Sequence, residues 1–119
     1  MSRHNTIGTH RTTISTDAEG MTHVTYHQTA VVSFDARTIT LRTGGWRSNT
    51  TKLRMNQTAN QHGLGYGVWQ KNYAWFVEYA GRVYEWTGDV LTLDRTTGAP
   101  CGGQFIRRES MERKEAATV

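Results

Sequence analysis

Cysteine, long apolar runs and, across the middle third, acidic residues are what this sequence has least of. Its one cysteine, Cys101, cannot form an internal disulfide, so a reducing compartment is the natural setting. No apolar stretch approaches the roughly 20 residues that span a bilayer, and no secretory leader opens the chain. The expected setting is therefore the cytoplasm, away from membranes, and the Asn-x-Thr triplets at Asn49 and Asn56 are discounted as glycosylation acceptors. Between Asp35 and Glu78 there is no acidic residue, yet Arg37, Arg42, Arg47, Lys52, Arg54 and Lys71 all lie there. These six cations exceed the net charge of +4, so the flanks together are acidic.

At 119 residues the chain has the length of one domain, which buries about two thirds of its unfolded surface without staples. The stretch from Gly44 to Gly63 reads as a single amphipathic helix, capped by Ser48 at its start and by a left-handed Gly63 at its end. Thr51, Met55 and Ala59 form a thin stripe with Leu53 on its shoulder, and the remaining face is polar. Trp46, before the cap, suits a hydrophobic staple. Upstream, Thr22 to Phe34 alternates as one long strand, turns at Asp35-Ala36-Arg37, and returns through Thr38–Arg42.

Downstream, the segments 66–70, 74–79, 83–86 and 90–93 read as a meander with turns at Lys71-Asn72, Ala80-Gly81 and Gly88-Asp89. In that register Trp75 faces Trp86 and Val68, Val77 sits between Tyr66 and Tyr84, and Gly67 faces Phe76. The expected class is α+β, a bent antiparallel sheet or small partly open barrel in the order β-β-α-β-β-β-β with one helix packed on it. Residues 1–20, with His4 and His10, read as a mobile arm or an edge strand, 21–106 as the single domain, and 107–119 as a frayed or disordered tail. Order is expected to fade from Arg95, with Phe105-Ile106 docking on the sheet.

Catalytic and metal constellations do not stand out. His23 and His27 are about 13 Å apart along a strand, too far to share an ion. Cys101 has no nearby histidine, and no serine lies on a recognisable elbow. Glu78 and Glu85 read as edge-strand charges. The Gly63–Trp69 run has phosphate-loop spacing but follows a helix and opens a strand, the reverse of the required context. It also lacks the aromatics of an RNA-recognition strand at Val68 and Lys71. No enzymatic activity and no cofactor are therefore expected.

What the middle does offer is Arg and Lys for phosphate, amides for base edges and a ring for stacking. The residues assigned to such a site are Arg42, Arg47, Ser48, Lys52, Arg54, Asn56, Gln57 and Trp69. Arg47 and Lys52 would take phosphate, Asn56 and Gln57 base or ribose edges, and Trp69 would stack. The bland reading makes Trp69 core and the amides ordinary helix surface.

Thr43-Gly44-Gly45-Trp46-Arg47, Thr50-Thr51-Lys52, Arg54-Met55-Asn56-Gln57, Gly63-Leu64-Gly65-Tyr66 and Trp75-Phe76-Val77 together resemble a group of short uncharacterised proteins of tailed bacteriophages. The resemblance spans about residues 31–77 and implies an accessory viral product in the host cytoplasm, acting by binding, as anti-defence proteins do. The expected partner is a nucleotide or nucleic acid. The alternative is a host defence protein met through the aromatic sheet face, and pairing of sheet edges leaves a homo-oligomer open.

Overall fold

The computed structural model describes residues 11–45 and 47–108. In chain order the elements are β1 (Thr12–Thr16), β2 (Thr22–Tyr26), β3 (Thr29–Phe34), β4 (Thr38–Arg42), α1 (Asn49–His62), β5 (Tyr66–Lys71), β6 (Ala74–Tyr79), β7 (Arg82–Asp94) and β8 (Ala99–Arg108). The strands form one antiparallel sheet in the order β1-β2-β3-β4-β7-β6-β5, with β8 pairing β7. The sheet is open, and α1 packs on it against β2, β3 and β5. The class is α+β.

Local chemistry explains most of these elements. At the β3–β4 turn the Asp35 carboxylate accepts from the backbone N–H groups of Arg37 and Thr38, at 2.8 and 2.9 Å, which fixes the reversal. The strand expected over 22–34 is in fact a hairpin, because His27 adopts a φ of 58° and the chain folds back on itself at His27-Gln28. His27 falls on the polar face of the alternation and Gln28 is a single polar residue on the apolar one, so the pattern hides the break. A register shift at Val24/Thr25 leaves Val31 as the extra residue of a bulge on β3. Upstream, Thr12–Thr16 is the edge strand β1. His4, His10, Trp46 and the tail from 109 lie outside the described residues.

The β5–β6 turn falls at Asn72-Tyr73, one residue beyond the expected place, so the ladder shifts by two and every side chain keeps its face. Trp75 pairs with Trp86 as expected, whereas Val77 lies between Val68 and Tyr84, and Trp69, not Gly67, meets Phe76. The face carrying Trp75, Trp86, Tyr66 and Tyr84 is buried, so the aromatic surface assigned to a host protein is core.

Gly88-Asp89 does not turn. β7 runs through it for 13 residues, pairing β6 with its first part and β4 with its last. β8 runs beside both parts, where loss of order was expected from Arg95. Gly88 and Gly103 are the reason: a Cβ on Gly88 would lie 1.8 Å from the Gln104 side chain, and one on Gly103, whose φ is 95°, would lie 2.1 Å from the Val90 carbonyl oxygen. Glycines that look like loop composition are close-approach positions between two strands. Phe105 packs edge-on to Tyr84 at 5.8 Å between ring centroids, while Ile106 stays exposed.

The helix starts and stops where its caps dictate. Ser48 Oγ accepts from Thr51 N–H at 3.1 Å, and Gly63 takes the left-handed conformation with its N–H on Ala59 O. Rich in Asn and Thr, the segment is a weak helix former, so its stability comes from docking. Thr51, Met55 and Ala59 are buried as the stripe requires, but Arg54, Gln57 and Thr58 are buried too.

Candidate functional site

The polar residues of α1 join two edge strands of the open sheet, β5 and β1. On one side Asn56 Nδ2 donates to Val68 O, and Asn56 Oδ1 accepts from Val68 N–H, both at 2.9 Å, on edge strand β5. On the other, Arg54 Nε donates to Thr12 Oγ1 of edge strand β1 at 2.9 Å, and Arg54 Nη1 donates to Gln57 Oε1 at 3.2 Å. The guanidinium also lies 5.6 Å from the Tyr26 ring. With Arg54 6% and Gln57 3% exposed, these two stand inside a seam and not on a ligand-facing surface. Asn56 is likewise held to backbone.

The remaining predicted residues separate into further groups. Arg47 and Lys52 converge on Trp75, at 5.2 and 5.4 Å from its ring centroid. Arg47 Nη2 donates to the carbonyls of Trp86 and Gly88, just where β7 changes neighbour from β6 to β4. Lys52 Nζ donates to Gln70 Oε1 at 3.0 Å, and partial burial lowers its ammonium below the usual lysine range. Trp69 lies across the sheet from them, stacked on Phe76 with a 16° interplanar angle. It does not share a surface with Arg47 and Lys52.

Arg42 belongs to a hydrogen-bonded ladder on the outer face. Its Nη1 donates to Ser33 Oγ at 3.0 Å, His23 Nδ1 lies 2.8 Å from that hydroxyl, and His23 Nε2 lies 3.1 Å from Asp17 Oδ2. One tautomer satisfies all three contacts, with the Ser33 hydroxyl donating to Nδ1 and Nε2–H donating to Asp17. That bond is the main reason the Asp17 carboxyl sits below its ordinary range. The Asp-His-Ser order suggests nucleophilic catalysis, but Ser33 is 2% exposed and already accepts from Arg42, so the ladder holds strands in register.

A concavity opens as a mouth between the β2–β3 turn, the start of β1 and the first turn of α1. It encloses about 1050 Å³ and is lined by Arg11, Thr13, Tyr26, His27, Ser48 and Thr51, among others, with no carboxylate in its wall among the described residues. The first turn of α1 has no acidic residue, so its unpaired N–H groups and positive dipole end meet no competing charge there. Of the predicted residues only Ser48 lines this mouth, and Arg54 backs it through Tyr26. Arg11 and His27 were not legible as site residues. Arg11 precedes the first strand, and His27 reads as mid-strand until its turn is seen.

The family model of the Kyanoviridae Gp96 protein matches residues 1–93, a span that takes in the mouth, the seam and all but the last residue of β7. The chain belongs to this family. It is thus a phage protein, as the resemblance implies, and the family carries no assigned activity. β8 lies beyond the matched span. Among curated proteins and solved structures nothing matches the chain. No helix among the described residues is long and apolar enough to cross a membrane.

Proposed function

We propose that this phage protein binds, without catalysis, a small phosphate-bearing ligand of the nucleotide class in its mouth. The observation that carries the reading is the cavity of about 1050 Å³ at the start of α1, which no carboxylate lines among the described residues. That volume suits a nucleotide or dinucleotide. Phosphate would meet the first-turn N–H groups and the Ser48 hydroxyl, with Arg11 supplying positive charge and the His27 ring a hydrogen-bonding nitrogen from the facing wall. The base would lie against Tyr26, whose other side is held by Arg54. An accessory phage product acting in the host cytoplasm would use such a site to sequester a nucleotide signal.

Titration calorimetry with a nucleoside monophosphate, a diphosphate and a cyclic dinucleotide tests this. One of them is expected to bind, with Arg11→Gln weakening it by about tenfold, the worth of one charge-assisted contact. Failure of all three to bind, or an unchanged affinity in Arg11→Gln, counts against the mouth.

A further inference from the structure

We infer that the tip of the β5–β6 hairpin is a second, separate site that takes single-stranded nucleic acid, one base stacking on Tyr73 and its phosphates meeting Lys71, Lys52 and Arg47. Tyr73 is 94% exposed, whereas the other rings among the described residues are mostly buried or half-buried. It also sits in a conformation that a tyrosine does not favour. Asn72 and Tyr73 have φ values of 51° and 69°, the paired left-handed geometry of a tight hairpin turn that prefers Asn-Gly. A glycine at 73 would relieve that strain at no cost to the core, so the turn itself gives no reason for a ring there.

Beneath the tip lies a cleft of about 360 Å³ whose wall includes Arg47, Tyr73, Trp75, Trp86 and Thr87. Lys52 reaches the same Trp75 ring as Arg47, and Lys71 occupies the last rung of the hairpin opposite Ala74. Glu85 also touches the cleft, but its carboxylate is paired with Arg108. Arg47, the cation in the cleft wall, therefore meets no free carboxylate there among the described residues. A lone protruding ring with cations on both sides suits an unstacked base and its flanking phosphates, whereas a duplex offers no free base face.

This site is independent of the mouth: Ser48 and Thr51 face one concavity, Arg47 the other. Fluorescence anisotropy of a labelled short oligothymidylate, at about 50 and about 200 mM salt, reads it directly. The oligonucleotide is expected to bind at the lower salt and to weaken at the higher. Tyr73→Gly should reduce affinity by about 5- to 100-fold, the range of one lost base stack, while the thermal midpoint holds or rises because the turn is relaxed. Lys71→Gln should lower the salt slope by about one, and Arg11→Gln in the mouth should leave oligonucleotide affinity unchanged. Equal binding by Tyr73→Gly and the parent, absence of binding at the lower salt, or loss of binding in Arg11→Gln alone overturns the assignment. None of these results decides nucleotide binding in the mouth, which is read by its own ligands.

Discussion

The side-chain amide of Asn56 bonds both backbone groups of Val68, its Nδ2 on the carbonyl and its Oδ1 on the N–H, each at 2.9 Å. A neighbouring strand would offer Val68 that same pair of contacts, and here a helix residue supplies them. Asn56→Leu should therefore destabilise the protein by about 2–3 kcal/mol, because two backbone groups lose their partner at once. Urea unfolding gives the loss, and amide exchange at Val68 should accelerate with it. A midpoint shift worth less than about 0.5 kcal/mol would mean that water replaces the amide freely.

Arg54 gives a sharp contrast between structural and ligand roles. Its guanidinium ties Thr12 and Gln57 together and covers Tyr26. Arg54→Ala is expected to cost about 2–4 kcal/mol through lost packing and orphaned partners. A surface arginine kept for a ligand would leave the thermal midpoint unchanged.

Ser48 both caps α1 and lines the mouth, and two substitutions separate the roles. Ser48→Ala should cost about 1 kcal/mol of stability, whereas Ser48→Gly should cost only a few tenths. Both remove the hydroxyl from the mouth, so equal losses of nucleotide affinity alongside unequal losses of stability are the expected result. If affinity instead tracks stability across the pair, the hydroxyl makes no direct contact.

Acid should weaken the β3–β4 turn. The Asp35 carboxyl lies below its ordinary value of 3.8, first through the Thr38 backbone N–H and then through that of Arg37. A group whose folded value is depressed binds its proton more readily when unfolded. The stability it lends is thus present above pH 3.8 and is lost as pH falls through the lower folded value. Urea midpoints of the parent and Asp35→Asn should differ near neutral pH and converge as pH drops below that range. Midpoints that stay apart in strong acid would place the contribution elsewhere.

How much of this was legible in the sequence follows from which signals are local. The Ser48 and Gly63 caps, the Asp35 turn and the Trp75–Trp86 pairing depend on neighbouring residues or on parity along a strand, and each stands where the sequence puts it. His27-Gln28 and Gly88-Asp89 mislead for opposite reasons. The first is a turn made of residues that fit a strand, and the second is a strand made of residues that fit a turn. What decides the latter is the close passage of β8, a contact made by residues 99–108 that no local pattern announces.

The candidate site was less legible than the fold. A run of cations free of acid says nothing about direction, and Arg42, Arg47 and Arg54 point into three different neighbourhoods. Arg54, Asn56 and Gln57 read as helix surface because the sequence does not reveal that the sheet wraps far enough to reach both flanks of α1. Around the first helical turn, Ser48 and Thr51 line the mouth and Arg47 lines the cleft on the other side.

A sheet with two edge strands joined by the side chains of a single helix can fail in a particular way. Lifting α1 away would release the Val68 backbone groups of β5 and the Thr12 hydroxyl of β1 at the same moment, and a bare edge is a template on which another copy can add a strand. The 14 residues of α1 therefore also keep part of the β5 edge paired. Changes at Asn56 or Arg54 should show themselves first in how long the protein stays in solution.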